Sequence, residues 1–181
     1  SGLEAALKKA ASSGALIFGI CGGYQLLGTV ISDPECSESG GEIRGLELLP
    51  AKTVFAAEKR RTQTSGRFGD ISGGFSFLSE AEFSGYEIHM GRTESAGLPL
   101  LSTGDGAYSG NVCGCYIHGI FDSSDVSGRL VNELFRRKGL EYTGGTVDRE
   151  AYKRSQYDLL ADSVRESLDM ELIYKIIREG I

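Results

Sequence analysis

GICGGYQ, residues 19–25, joins a short apolar run to the start of a predicted helix. The run at residues 15–18, ALIF, is typical of a buried strand, so the glycine-rich stretch predicts a sharp turn from strand to helix. Serine hydrolases carry their nucleophile on such a turn, with the pattern G-x-S-x-G, and here the central residue is Cys21. Gly19 and Gly23 suit the turn because glycine tolerates crowded backbone and positive φ.

Cys21 is therefore a candidate nucleophile for attack on a carbonyl carbon. The positive end of the following helix favours the thiolate, which is the reactive form of a cysteine. A free cysteine at the end of a strand is more often a small buried apolar residue. The glycine pattern and the strand–turn–helix context favour the nucleophile in this sequence.

Length and charge limit the function classes. The 181 residues suffice for one domain, residues 1–181, with a buried core. The net charge of −6 disfavours nucleic-acid binding, and the two short basic clusters have other predicted roles. Residues 59–61 are expected on a solvated loop, and residues 136–138 are expected to close a helix. No apolar segment approaches the roughly 18 residues that cross a bilayer, so we expect no membrane partner.

The cysteine and histidine content predicts no metal site and no disulfide framework. Four cysteines (Cys21, Cys36, Cys113 and Cys115) are too few for a dense set of disulfides in a chain of this size, which favours a reducing cytoplasm. Cys113 and Cys115 are separated by one residue, closer than the usual zinc-binding pair, and the chain has only two histidines.

The hydrophobic pattern predicts an α/β domain in which strands alternate with helices. Two helices are predicted early in the chain, at residues 3–10 with a stop at Gly14 and at residues 23–30. A third is capped by Asp122, Ser123 or Ser124 and ends at Gly139, and a final helical region is capped by Asp148. Predicted strands cover residues 15–20, residues 53–55, several short glycine-punctuated segments between 61 and 110 that include Gly85–Gly91, and residues 111–117.

A cysteine nucleophile needs a base, and the candidates are His89 and His118. His118 follows a predicted strand and enters a loop, the position at which α/β folds collect functional residues, and Cys21 also follows a strand. His89 lies within a strand-like segment, where a structural hydrogen bond is the expected role. We therefore predict His118 as the base.

The motif G-x-C-x-G-x-Q resembles the nucleophile site of class I glutamine amidotransferases. More narrowly, four stretches in order resemble the C-terminal glutaminase domains of cobyric acid synthases. They are Gly19–Gly28 (GICGGYQLLG), Gly45–Pro50 (GLELLP), Gly85–Gly91 (GYEIHMG) and Tyr116–Asp122 (YIHGIFD).

This resemblance implies a flavodoxin-like α/β fold and glutamine hydrolysis through a cysteine thioester. It implies that Cys21 is the nucleophile, that His118 is the base and that Gln25 helps to hold the glutamine. Gly22 would offer its backbone N–H to the oxyanion. The ammonia would serve ATP-dependent amidation of corrin-ring carboxylates in cobalamin biosynthesis. An N-terminal synthetase domain would be the partner and would bind the corrin, ATP and Mg²⁺, with no cofactor in the glutaminase domain itself.

Three features depart from the pattern of the class. The position two residues after the candidate base, where many members carry a glutamate that orients the histidine, is Ile120; Asp122 and Glu87 remain alternatives for that role. Glu47 and Cys115 stand where Gly and Thr are expected. The strands that precede the nucleophile turn in this class are missing, so we expect a C-terminal part of a longer chain.

A missing upstream turn would also remove one oxyanion donor, a loss of about 2.7–4 kcal/mol of transition-state stabilisation. Two other functions therefore stay open: a glutaminase for a different ligase, such as one that amidates a cell-wall precursor, and a non-catalytic scaffold or interface domain.

Overall fold

The computed structural model of the protein describes residues 2–145 and 149–180 and confirms the α/β class. The chain divides into two compact units between residues 144 and 145. The elements of the first unit are α1 (Gly2–Ser12), β1 (Ile17–Ile20), α2 (Gly22–Leu27), β2 (Val30–Asp33), β3 (Gly41–Arg44), β4 (Ala51–Arg67), β5 (Glu82–Ser95), β6 (Ala107–Ser109), β7 (Val112–Cys115) and α3 (Ser124–Arg137). Two 3₁₀ turns lie at Gly73–Leu78 and Ile120–Asp122.

The first sheet has the strand order β1-β7-β6. Strands β1 and β7 are parallel, with Ile17 opposite Val112 and Ile20 opposite Cys115, and β6 is antiparallel to β7. Because the carboxyl ends of parallel strands meet at one edge of a sheet, the segments that follow β1 and β7 emerge side by side. The nucleophile turn and the loop of the candidate base are those two segments.

Helix α2 packs closely on this sheet. The ring of Tyr24 lies over Gly114, where an added Cβ would be 2.5 Å from Cδ2 of the tyrosine. A Cβ on Gly19 would be 2.8 Å from the backbone of Gly23 and Tyr24. These two paired glycines therefore let the helix approach β1 and β7, and Tyr24 and Leu27 join a buried cluster beneath it.

The second sheet has the order β3-β2-β4-β5 and is dominated by one long hairpin. Strands β4 and β5 pair from Ala51 with Ser95 to Arg67 with Glu82, and the register shifts between Phe55 and Arg60. The predicted strand at Gly85–Gly91 lies within β5, but its glycines do not end the strand, so the prediction that residues 61–110 form only short strands is wrong. Residues 59–61, predicted on a loop, lie exposed within β4.

The glycines that suggested breaks mark places where other groups approach the hairpin. An added Cβ on Gly85 would overlap the carbonyl oxygen of His118, and one on Gly91 would overlap Nε2 of Gln25. Glycine inside a strand is expected where another part of the chain comes this close. A single sequence cannot distinguish such a contact from a turn.

Helix α3 ends as the sequence predicts. Arg136 and Arg137 lie in its last turn, and both donate to the carboxylate of Glu133 at 2.7–2.8 Å. Ser123, one of the three predicted caps, holds the N-cap position, but its hydroxyl accepts from the backbone N–H of Ser84 in β5 and makes no capping hydrogen bond. The start of α3 is thus tied to the hairpin.

The second unit consists of α4 (Arg149–Ser167) and α5 (Met170–Glu179). Asp169 caps α5 by accepting from the backbone N–H of Leu172 at 2.9 Å. The predicted cap at Asp148 lies outside the described residues. None of the helices in the described part of the chain is both long and apolar enough to cross a membrane.

The buried carboxylate of Glu133 gives a prediction about stability. Its hydrogen bond to Arg136, aided by Arg137, lowers the pKa of Glu133 from 4.5 to about 2, despite an opposing effect of burial. A lowered folded-state pKa contributes stability above pH 4.5, and this contribution is lost as the pH falls towards 2. We expect Glu133→Gln to lower the free energy of unfolding at pH 7, and the difference from wild type to shrink between about pH 5 and 2.

Urea unfolding at a series of pH values measures this difference. Glu82→Gln is the control, because the Glu82–Arg67 ion pair is exposed and such pairs contribute little. Equal losses in the two variants, or a difference for Glu133→Gln that does not change with pH, would contradict the prediction.

Candidate active site

Cys21 occupies the turn between β1 and α2 in a strained conformation. Its φ of 52° and ψ of −113° lie outside the usual regions for a residue with a side chain. The backbone around it is fixed: Cys21 N–H donates to the Cys115 carbonyl at 3.0 Å, and the Cys21 carbonyl accepts from Gln25 N–H at 3.1 Å. The sequence prediction of a sharp turn is confirmed, but the positive φ falls on Cys21 itself and not on Gly19 or Gly23.

Burial separates Cys21 from the other thiols of its sheet. Burial raises the pKa of Cys115 to about 12 and that of Cys113 well above its ordinary value, so both remain thiols at neutral pH. Cys21 is partly exposed, whereas Cys36 is exposed in the turn after β2. Cys21 is therefore the accessible thiol at the edge where β1 and β7 end.

His118 lies just beyond β7 and is held by β5. Its backbone N–H donates to the Tyr86 carbonyl at 2.8 Å, and the Tyr86 N–H donates to the His118 carbonyl at 3.0 Å. The Tyr86 ring stacks on the imidazole, with ring centroids 5.1 Å apart and planes 9° from parallel. Within the described residues, Nε2 of His118 is buried and has no hydrogen-bond partner.

The same short part of β5 reaches the thiol. Sγ of Cys21 lies 3.8 Å from the carbonyl oxygen of Ile88, two residues along the strand from Tyr86. Two residues of a strand span about 6.6 Å, so the structure brings Cys21 and His118 to neighbouring positions beside β5. No hydrogen bond joins their side chains directly in the part of the chain that the structure describes.

Gln25, expected to hold substrate, is buried in the first turns of α2. Its Nε2 donates to the Tyr116 hydroxyl at 3.3 Å, and that hydroxyl is 2.5 Å from Oγ1 of Thr93 in β5. Burial raises the pKa of Tyr116, so it remains a neutral hydroxyl. The side-chain amide of Gln25 thus links α2 to Tyr116 and β5.

Gly22 is the first residue of α2, and nothing lies within 4 Å of a Cβ built on it. The first N–H groups of a helix have no partner within that helix. The Gly22 N–H is the one adjacent to Cys21, the position that supplies one of the two oxyanion donors in turns of this kind. Its use as such a donor stays a prediction.

The structure assigns Glu87 to the other histidine. The buried Glu87 carboxylate lies 3.1 Å from Nε2 of His89 and 2.8 Å from Nε of Arg60. Nδ1 of His89 donates to the Gly91 carbonyl at 2.7 Å, and the His89 ring stacks on Tyr116 at 3.7 Å. The alternative that Glu87 orients His118 is therefore not favoured.

Sequence reasoning missed this network, although one signal was present. Glu87, His89, Gly91 and Thr93 are spaced two apart and so share one face of β5. They border a cavity of about 800 Å³, whose lining also includes Tyr24 and Tyr116 but neither Cys21 nor His118. No group of three or more His, Cys, Asp or Glu residues that could bind a metal occurs within the described ranges.

Ile120, two residues after His118, is an apolar residue in an apolar environment. Ile120 is fully buried in the larger core cluster, at the start of the 3₁₀ turn after the His118 loop. It therefore anchors this loop by packing and offers no hydrogen bond to the imidazole.

Comparison of the chain with known proteins identifies the kind of domain that carries this site. Residues 1–126 match a family model described as a CobB/CobQ-like glutamine amidotransferase domain. The whole chain is 45% identical to a cobyric acid synthase of Ruminiclostridium cellulolyticum and 44% identical to one of Lachnoclostridium phytofermentans. A cobyric acid synthase of Streptococcus sanguinis is 42% identical over 98% of the chain. The chain spans 37–39% of the length of these three relatives.

The position of Gly91 predicts a loss of stability on substitution. A Cβ there would overlap Nε2 of Gln25 and would lie 2.8 Å from Cγ2 of Thr53. We expect Gly91→Ala to reduce the free energy of unfolding by about 1–3 kcal/mol, measured by urea denaturation. Gly66→Ala in β4 is the control, since its Cβ would meet only the Phe83 ring at 3.3 Å. Wild-type stability of Gly91→Ala would contradict the close approach of Gln25 to β5.

Thiol accessibility gives a second prediction for this site. Brief treatment of the native protein with iodoacetamide should modify Cys21 and Cys36 and leave Cys113 and Cys115 unmodified, because burial keeps the last two as thiols. Peptide mass spectrometry measures the modification at each residue, and unfolding in urea should expose all four. Modification of Cys113 or Cys115 before Cys21 would show that the thiols are arranged differently.

Proposed function

The chain belongs to the family of CobB/CobQ-like glutamine amidotransferase domains, and from this we propose that Cys21 and His118 hydrolyse glutamine through a covalent thioester. The observation that carries the proposal is the position of the two residues. A strained cysteine on a strand-to-helix turn and a histidine whose buried Nε2 has no partner among the described residues both lie beside residues 86–88 of β5.

In the first step, His118 takes the proton of the Cys21 thiol, and the resulting thiolate attacks the side-chain amide carbon of glutamine. The carbonyl π bond breaks, and its electron pair moves to the oxygen, which the Gly22 N–H would stabilise as the donor adjacent to the nucleophile. The strained backbone of Cys21 supports this step because it places the thiol at the end of the turn, in front of α2.

In the second step, His118 donates a proton to the amide nitrogen, the C–N bond breaks, and ammonia leaves. A thioester between Cys21 and the glutamyl group remains. Water then attacks the thioester carbon while His118 accepts a proton from the water. Glutamate is released when the C–S bond breaks, and the Cys21 thiolate is restored. Nε2 of His118 supports both proton transfers, because no group among the described residues competes for it.

The destination of the ammonia is inferred from the relatives. They are cobyric acid synthases, and the chain covers 37–39% of the length of three of them. We propose that the ammonia serves ATP-dependent amidation of corrin carboxylates in cobalamin biosynthesis, with a synthetase part of the same protein binding the corrin, ATP and Mg²⁺. The four sequence stretches of the first unit that resemble these enzymes support this acceptor over a cell-wall precursor.

A non-catalytic interface domain is the second candidate. It is favoured by one observation: the described structure contains no direct hydrogen bond between the thiol and His118, and Sγ faces the Ile88 carbonyl instead. The mutational test below distinguishes the two functions.

We expect Cys21→Ala and His118→Ala each to reduce glutaminase activity by about three orders of magnitude, because the nucleophile and its base act as a unit. The assay measures glutamate release by the full-length protein that carries this chain. A diazo-ketone analogue of glutamine should also label wild type and fail to label Cys21→Ala. Corrin amidation with glutamine should fail in both variants and recover with added ammonium.

Cys36→Ala is the matched control, and it should keep both activity and labelling because Cys36 lies in an exposed turn. Labelling of Cys21→Ala at the wild-type rate would reject the nucleophile assignment. Glutaminase activity that survives both Cys21→Ala and His118→Ala would favour the interface function. Glutamine hydrolysis without amidation of a corrin would instead redirect the search to another acceptor.

A further inference from the structure

Tyr86 covers one face of the His118 imidazole. The rings are nearly parallel, at 9°, and their centroids are 5.1 Å apart, within the usual range for stacked aromatic rings. The tyrosine side chain is 45% exposed, so only part of it contacts the protein. An exposed aromatic residue placed in this way limits how far the imidazole can rotate about its own side-chain bonds.

The backbone holds the two rings in register. Tyr86 and His118 form an isolated antiparallel β-bridge with two backbone N–H···O hydrogen bonds, of 2.8 and 3.0 Å. Gly85 adds to the close approach, because its missing side chain leaves space for the His118 carbonyl and for Cγ2 of Ile117. A shift of β5 relative to the loop would break both hydrogen bonds and separate the rings.

The part of β5 that holds His118 also contacts the nucleophile. The Ile88 carbonyl lies 3.8 Å from Sγ of Cys21, and Ile88 is two residues beyond Tyr86. Strand β5 therefore fixes the imidazole relative to the thiol as well as relative to the sheet. The stack acts on the distance and direction between the two reacting groups.

We infer that Tyr86 is a positioning residue for the reaction, and this inference rests on the proposed role of His118 as the base. Its ring sets the plane of the imidazole so that Nε2 remains available for proton transfer. Its electron-rich face also favours the imidazolium that forms when His118 takes a proton from the thiol, by a cation–π interaction. The phenol hydroxyl has no part in either effect.

Tyr86 thus has an orienting function that the sequence patterns do not suggest. In a triad, a carboxylate that accepts from the second ring nitrogen orients the histidine and stabilises its cationic form. Here the equivalent sequence position is the buried Ile120, and Glu87 bonds to His89 and Arg60. The Tyr86 stack performs the same two tasks through a ring face.

The test compares Tyr86→Leu, which removes the aromatic face, with Tyr86→Phe, which keeps it. In glutaminase assays of the full-length protein, we expect Tyr86→Leu to lower kcat roughly 3- to 30-fold with KM nearly unchanged, and Tyr86→Phe to stay within about twofold of wild type. The rate of Cys21 alkylation at neutral pH should fall in parallel for Tyr86→Leu, because less thiolate–imidazolium pair is present. Tyr152→Leu, at an exposed tyrosine of α4, is the control and should change none of these rates.

Thermal unfolding of each variant checks that the fold is kept, and Tyr86→Thr, with a good strand-forming residue, replaces Tyr86→Leu if the latter does not fold. Wild-type kcat and wild-type alkylation in the variant that lacks the ring would overturn the positioning role, as would equal losses in Tyr86→Phe and Tyr86→Leu. Glutaminase activity of His118→Ala at the wild-type rate would instead overturn the assignment of His118 as the base, and the stack would then have no catalytic role. The two failures are thus distinguishable.

Discussion

The parallel pairing of β1 with β7 is the constraint on which the site depends. It places the residues that follow the two strands at one edge, and the Cys21 N–H extends the pairing by one bond to the Cys115 carbonyl at 3.0 Å. Helix α2 packs on this strand pair, and its close approach requires the bare backbone of Gly19 and Gly114. These two glycines therefore let the helix that follows Cys21 lie against β1 and β7. The strain at Cys21 is sustained by the same packing, since the backbone bonds on both sides of the turn hold its conformation.

Strand β5 connects the two halves of the site through its two faces. Alternate side chains of a strand point to opposite sides, so Tyr86 can stack on His118 while Glu87 and His89 face the other way. On that second face, the Tyr116 hydroxyl joins Gln25 of α2 to Thr93. The helix that follows Cys21 and the loop that carries His118 are thus fixed to one strand. A displacement of β5 would disturb both, which links the relative position of these two residues to the stability of the long hairpin.

Local sequence patterns were sufficient for the part of the site that local geometry determines. Glycines around a cysteine, between an apolar run and a helix, predicted the turn after β1, and the position of His118 after a strand predicted its edge of the sheet. The positive φ of Cys21 itself was not predicted, because the pattern does not say which residue of the turn bears the strain. The long hairpin was missed for a different reason. Gly85 and Gly91 look like breaks in a strand, whereas they are places where His118 and Gln25 approach from distant parts of the chain.

The two histidines differ in the partners of their ring nitrogens, a difference that the sequence does not reveal. His89 belongs to β5, and His118 pairs with Tyr86 of the same strand. Amino-acid composition alone does not distinguish the two. His89 has both ring nitrogens engaged, by the Gly91 carbonyl and the Glu87 carboxylate, and its ring face is covered by Tyr116. His118 is held by its backbone and by one ring face, which leaves Nε2 buried and without a partner among the described residues. A buried nitrogen in that condition costs stability unless something binds to it. For a proton-transferring group this cost ends when the thiol, a water or the substrate binds the nitrogen. The same unsatisfied atom that weakens the fold is thus the strongest physical reason to regard His118, and not His89, as the base.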